Sequence, residues 1–280
     1  MVFIDRFYNI IVGVLLFIAT AGLAVVVSVP TQQGDILGVH FINVGQGDGV
    51  FIETPTHRRI LIDGGKQDSS VAFKVGDLMP FYDKRIDVVV ATHADSDHIG
   101  GLIDVLDRFE VGVLVVQNKE NDKFLNQVLI QKAHEKQVQV REAHTIQDIV
   151  IGDVRFEFIR PTQPIHYENE NQKSVVVKMV YKNDSFLFTG DIDNDIEMQF
   201  IQDRVDVSAD VLKVAHHGSK SSSNDLFIQA VNPNIAVIQA GKDNSYGHPH
   251  AQVLERFKAQ RILRNDQNGT ISLYSNGDSF

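Results

Sequence analysis

The stretch His93-Ala94-Asp95-Ser96-Asp97-His98-Ile99-Gly100-Gly101 follows directly on the apolar run Asp87 to Thr92. A short Val-rich run reads as a buried strand, and the Gly-Gly pair reads as the opening of a helix. Two imidazoles and two carboxylates therefore crowd the exit of a strand that must be covered. Desolvating such groups side by side is costly unless a cation neutralises them. In an extended loop, positions i, i+2 and i+4 share a face. His93, Asp95 and Asp97 meet that spacing, and His98 follows as the chain turns. This mixture of nitrogen and oxygen donors suits divalent cations. A merely solvated acidic loop would not need the apolar strand that feeds this one.

Two further strand ends carry matching groups. Phe186 to Phe188 leads through Thr189-Gly190 to Asp191, and Val211 to Ala215 leads to His216-His217-Gly218-Ser219. Alone, Asp191 would read as a helix cap. With the histidine pair some 25 residues on, it reads better as a carboxylate bridging two cations about 3.5–4 Å apart. The remaining pattern alternates strand-length apolar runs with amphipathic stretches. Strands are expected at residues 39–43, 49–53, 59–62, 111–116, 148–151, 154–159, 174–181 and 235–239. Helices are expected at 70–79, 100–108, 121–137, 194–204, 224–230 and 251–259. Residues 261–264 and 270–274 read as a closing hairpin around Asn268-Gly269. Strand blocks punctuated by helices suit an α+β fold with sheets packed face to face and helices outside.

Net charge is -10 and cysteine is absent. The first argues against a strong nucleic-acid footprint over the whole surface. The second removes disulfides, thiolate metal sites and a cysteine nucleophile. Charge is uneven, because residues 211–264 hold 7 Lys/Arg against 3 Asp/Glu. Residues 10–29 contain no charge, and as a helix they would span about 30 Å, a bilayer core. They are expected to form one N-terminal transmembrane helix. Arg6 before the segment and Asp35 after it favour an extracytoplasmic catalytic body. Cleavage near Ala19-Thr20-Ala21, giving a secreted protein, is the rival. The expected organisation is a membrane anchor or signal segment at 1–30, a tether at 31–37 and a catalytic domain at 38–280.

The chain resembles the metallo-β-lactamase superfamily, and within it the ComEC type found at the end of bacterial DNA-uptake channels. The resemblance rests on Phe41 to Asp48, Leu61 to Gly65, Thr92 to Gly101, Asn171 to Ser174, Thr189 to Asp191, Leu212 to Ser219 and Tyr246 to Pro249. It implies an αββα sandwich with metals at the rim between two sheets. It further implies two divalent ions, zinc or manganese. His93 and Asp95 would hold one ion. Asp97, His98 and one of His216 and His217, with His217 favoured, would hold the other, and Asp191 would bridge them. Asp63 would orient a ligand imidazole. Asn171 falls where many members place another histidine ligand. His216 or His248 would assist the leaving group, with Asp97 in the catalytic set. Asp95 replaces the more usual histidine, which hardens the site and favours manganese.

The function implied is metal-dependent hydrolysis of a phosphoester, with DNA (single-stranded included) as substrate. Lys213, Lys220, Lys242, Arg256, Lys258, Arg261 and Arg264 are expected to track its backbone. One apolar segment cannot form a channel, so any pore would belong to a separate channel protein. A cell-surface substrate such as phosphocholine is the alternative. A β-lactamase is disfavoured by Asp95 and the His216-His217-Gly218-Ser219 segment. An inactive binding module is disfavoured by the full ligand set.

Overall fold

Strands such as Arg59-Ile60-Leu61-Ile62 are apolar at successive positions, a pattern that demands cover on both faces. The computed structural model describes residues 36–146, 148–163 and 166–278. The first half runs β1 (Leu37–Phe41), β2 (Val50–Glu53), β3 (Arg59–Ile62), α1 (Ser70–Leu78), β4 (Arg85–Ala91), α2 (Ser96–Ile99), α3 (Leu102–Arg108), β5 (Glu110–Val116), α4 (Phe124–Glu135) and β6 (Gln139–Glu142). The second runs β7 (Ile149–Ile151), β8 (Val154–Ile159), β9 (Val176–Tyr181), β10 (Asp184–Phe188), α5 (Asn194–Gln202), β11 (Val211–Lys213), α6 (Asp225–Val231), β12 (Ile235–Ile238), α7 (Ala251–Arg256), β13 (Arg261–Arg264), α8 (Asn265–Asn268) and β14 (Ile271–Ser275).

These strands make two seven-stranded sheets, ordered β14-β1-β2-β3-β4-β5-β6 and β13-β12-β11-β10-β9-β8-β7. Period-two alternation sorts the side chains into layers. Ile60, Ile62, Val88 and Val90 face Phe186, Phe188, Val177 and Val211 in the core between the sheets. Leu61, Val89 and Leu114 point the other way, against Val71, Val75, Leu102 and Leu129 of the helices. Leu187, Leu212 and Ala236 do the same on the second sheet, against Ile196, Phe200, Phe227 and Val253. The αββα arrangement expected from the sequence is what forms.

Both sheets follow one plan, although no repeat is legible in the sequence. An antiparallel set ends at β3 or β10, and strands parallel to it follow: β4, β5 and β6 in one sheet, β11, β12 and β13 in the other. The carboxyl ends of β3, β4, β10 and β11 lead into Asp63, the His93–His98 loop, Asp191 and the His216-His217 pair. The sequence loaded with chemistry thus lies where parallel strands open.

One expectation changes. Residues 261–264 and 270–274 do not pair as a hairpin, because β13 joins β12 and β14 joins β1 in the opposite sheet. The Asn-Gly signal is real but belongs to α8, where the Asn265 amide donates to the carbonyls of Phe41 and Gly269 at 3.1 and 2.5 Å. β6 was not apparent, since its residues are polar and only partly covered. Segment 10–29, the cleavage motif and the start of the tether lie outside the described residues. Among the described residues no helix is long and apolar enough to cross a membrane.

Candidate metal centre

Asp63 anchors the site from the end of β3, in a left-handed conformation with φ 57°. Its Oδ1 accepts from the Thr92 amide at 2.8 Å. Its Oδ2 accepts from the Thr92 hydroxyl at 2.7 Å and from His98 Nδ1 at 2.8 Å. With the Thr92 hydroxyl committed to Asp63, His93 Nδ1 donates to that oxygen at 3.0 Å. One buried carboxylate therefore fixes two rings, directly and through a hydroxyl. In both, Nδ1 donates away from the centre, which leaves Nε2 as the nitrogen turned into it. His217 is fixed the same way from the second sheet, its Nδ1 donating to the Gln239 carbonyl at 2.9 Å.

The free nitrogens point together. Nε2 of His93, His98 and His217 are buried without a hydrogen-bond partner. Asp191 Oδ2 lies 3.2 Å from His98 Nε2, 3.3 Å from His217 Nε2 and 3.9 Å from His216 Nε2. Asp97 Oδ2 lies 3.4 Å from His217 Nε2, and Asp95 Oδ2 lies 3.6 Å from His93 Nε2. Buried ring nitrogens without a hydrogen bond beside clustered carboxylates are unfavourable, and a cation resolves both problems. The donor set of imidazole nitrogens and carboxylate oxygens fits divalent ions.

Charges around the cluster are strongly perturbed. Burial alone would raise the Asp191 pKa, but His217 and His98 hold it well below the carboxylate range. Reciprocally, burial would lower the His98 pKa, yet Asp191 and Asp63 raise it well above the usual imidazole value. Asp97 is pushed down to about 2, His217 overcoming its burial. Asp95 is held far below its ordinary range by His93 and Lys123. Each is the signature of a negative site that attracts positive charge.

His216 and His217 both adopt left-handed backbone, at φ 49° and 55°. This arrangement is rare for residues with side chains and persists where packing enforces it. It throws both rings towards Asp191, with His217 buried and His216 partly exposed. Asn171 Nδ2 donates to His216 Nε2 at 3.3 Å. His248 sits beyond, its ring 5.7 Å from that of His216 and 6.2 Å from that of His217. Burial and the neighbouring imidazoles push its pKa down to about 4, so it is neutral at pH 7.

Two participants escaped the sequence reading. Asp48 joins His98, Asp191 and His217 in a compact buried group. Its contacts, however, are to the Nδ1 sides of the rings, 3.3 Å from His217 and 3.8 Å from His98. It backs the imidazoles, while Asp97 and Asp191 face their Nε2 atoms. The other participant is Lys213, expected at the surface as a DNA contact. It is buried instead, ion-paired to Asp48, 3.7 Å from Asp191 Oδ1, and donating to the Gly190 carbonyl at 3.1 Å. Arg256 also turns inward, donating to the carbonyls of Ser222 and Ser223 at 3.1 and 2.9 Å. Arg264 pairs with Asp266, Lys258 pairs with Glu255 at the surface, and Lys220, Lys242 and Arg261 are exposed.

Close backbone approach explains the glycines. A Cβ on Gly47 would lie 2.1 Å from the Asp97 carbonyl, and one on Gly101 would lie 2.1 Å from the Gly64 carbonyl. The loops bearing Asp48, Asp63 and the histidines can meet only because side chains are missing there.

Residues 42–242 match the model of the metallo-beta-lactamase superfamily. The chain is 36% identical over 251 residues to ComE operon protein 3 of Bacillus subtilis (strain 168), covering 83% of this chain and 32% of that protein. It is 30% identical over 232 residues to competence protein ComA of Neisseria gonorrhoeae, covering 82% and 31%. The chain thus spans about a third of the length of these curated relatives. The structure of the metallo-beta-lactamase fold protein YhfI from Bacillus subtilis superposes with a TM-score of 0.58 at 12% identity, covering 86% of this chain and all of that one. The chain belongs to the metallo-β-lactamase superfamily, in its ComEC-type branch.

Proposed function

We propose that the chain is a two-metal phosphodiesterase acting on DNA outside the membrane. The observation that carries this reading is the convergence of the buried, unpartnered Nε2 atoms of His98 and His217 on Asp191, with that of His93 beside Asp95. In this reading His93 and Asp95 would hold one ion, while Asp97, His98 and His217 would hold the other. Asp191 would serve both, and Asn171 and His216 complete the outer side. Bound there, two divalent ions would supply a nucleophilic water at neutral pH and stabilise charge on the phosphate oxygens.

The chain's own residues do the rest. Asp63 and Thr92 keep His93 and His98 in the tautomer that offers Nε2, and the Gln239 carbonyl does so for His217. The Asp48–Lys213 pair holds His217 and Asp191 from behind. His216 and His248 border the open side, where the leaving oxygen departs. Neutral His248 would take a proton from solvent when an anionic phosphate lies beside it and pass it to that oxygen. The names of the two competence relatives support a nucleic-acid substrate, and exposed Lys220 and Lys242 offer contacts to a backbone. We further propose that residues 10–29 anchor the domain at the membrane, with any channel supplied by a separate protein.

The test is turnover by the purified chain on single-stranded DNA, bis-p-nitrophenyl phosphate and p-nitrophenylphosphocholine, each with Mn²⁺, Zn²⁺ or EDTA. Metal-dependent cleavage of the first two supports the reading. Cleavage of the phosphocholine ester alone would transfer the activity to a cell-surface substrate. No hydrolysis of any ester by folded protein would remove the enzyme.

A further inference from the structure

The loop that follows β12 carries an aromatic ring that nothing in the metal centre requires. Tyr246 is 61% exposed. Its ring nonetheless stacks on that of His248, with centroids 5.6 Å apart and planes 22° from parallel. His248 in turn neighbours the rings of His216 and His217. A row of rings thus leads from the ligand His217 through His248 to Tyr246 and ends in solvent.

The outermost ring is not a loose surface side chain. Asn244 Oδ1 accepts from the amides of Tyr246 and His248 at 3.1 and 3.0 Å. Its Nδ2 donates to the carbonyls of Gly241 and His248 at 2.9 and 2.6 Å. Gly247, at φ +73°, permits the turn between the two rings. The backbone under Tyr246 is therefore set before any ligand arrives, which lowers the entropy lost on binding.

We propose that Tyr246 is a stacking platform for the nucleobase beside the scissile phosphate. The inference rests on the phosphodiesterase reading above and names how that substrate is gripped. A base stacks on one aromatic face whatever its identity, so such a platform binds a single strand without reading its sequence. A quaternary ammonium group is held by several faces enclosing it, whereas Tyr246 presents one open ring. The row of rings from His217 through His248 to Tyr246 would bring a nucleoside next to the bound phosphate within reach of the outermost ring.

The chain contains no tryptophan, so Tyr246→Trp introduces a unique fluorophore at the platform. Titration of this variant with a short oligothymidylate should quench its emission, and an abasic strand of equal length should not. This readout needs no turnover, so it stays informative if the hydrolase reading fails. In Mn²⁺-supported hydrolysis, Tyr246→Ala should raise KM for the thymidylate strand by about tenfold more than for the abasic strand, with Tyr246→Phe restoring it. Equal quenching by both strands, an equal loss on both, or a loss confined to p-nitrophenylphosphocholine would overturn the proposal. Cleavage of bis-p-nitrophenyl phosphate together with indifference of DNA to Tyr246→Ala would overturn it while sparing the hydrolase.

Discussion

The inner and outer halves of the metal centre are built differently. On the inner side, Asp48, Asp63, His98, Asp191 and His217 are all at most 3% exposed. The Nδ1 atoms of His98 and His217 are held by Asp63 and the Gln239 carbonyl, and Asp48 is paired with buried Lys213. On the outer side, Asp95, Asp97, His216 and His248 are partly exposed. There Asp95 is paired with Lys123, whose side chain is 40% exposed. The inner geometry is set by folding. The outer geometry is held by groups that water can replace, so it can yield to a substrate.

This contrast can be broken by substitution. Asp191→Ala should have the largest effect, because it removes the oxygen on which three imidazoles converge. Turnover of bis-p-nitrophenyl phosphate should fall by about a thousandfold or more, with the far-ultraviolet circular dichroism unchanged. Retained activity would remove Asp191 from the centre. Lys213→Met should cost about 3–5 kcal/mol in denaturant unfolding, since it strands Asp48 as a buried unpaired charge. The double variant Asp48→Asn with Lys213→Met should recover much of that loss. If Lys213→Met were neutral, the inner side would be as solvated as the outer.

Acid should act on the outer side at an intermediate level. The Asp97 pKa is depressed to about 2 in the fold, against about 3.9 unfolded. Its contribution is complete above pH 4 and is lost as pH falls through the folded value. For the metal-free chain this loss should be about 2 kcal/mol between pH 4 and 2. Asp97→Asn should flatten that limb of the stability profile. Lys123→Met should have the smallest effect, at most about 1 kcal/mol, because an exposed ion pair gains little over hydration. A loss comparable to that of Lys213→Met would erase the distinction between the two sides.

The same contrast governs what could be read from the sequence. His93, Asp95, Asp97 and His98 lie together in the chain, and Asp191 and His217 follow apolar strands, so the fold's open edge and its histidines were legible. Asp48 was not given a part, since its contacts to His98 and His217 depend on three loops meeting. Its signal was the Gly-Gln-Gly-Asp run, where Gly47 must lack a side chain to let the Asp97 carbonyl approach. Lys213 was misread because local positive charge suggested a surface. A lysine within a strand with apolar neighbours on both sides is costly unless paired, and that consideration points inward. The crossing from β13 to β14 escaped for a simpler reason. Turn residues mark where a chain reverses, not which sheet the next strand joins.

The central claim is that the converging imidazoles and carboxylates cage a pair of cations. Crystals of the chain soaked in Mn²⁺ and measured at the manganese edge test it directly. The account predicts two anomalous peaks about 3.5–4 Å apart, both beside Asp191, one against His93 and Asp95 and the other against Asp97, His98 and His217. An absence of anomalous density at these side chains, or peaks only elsewhere on the molecule, would contradict it.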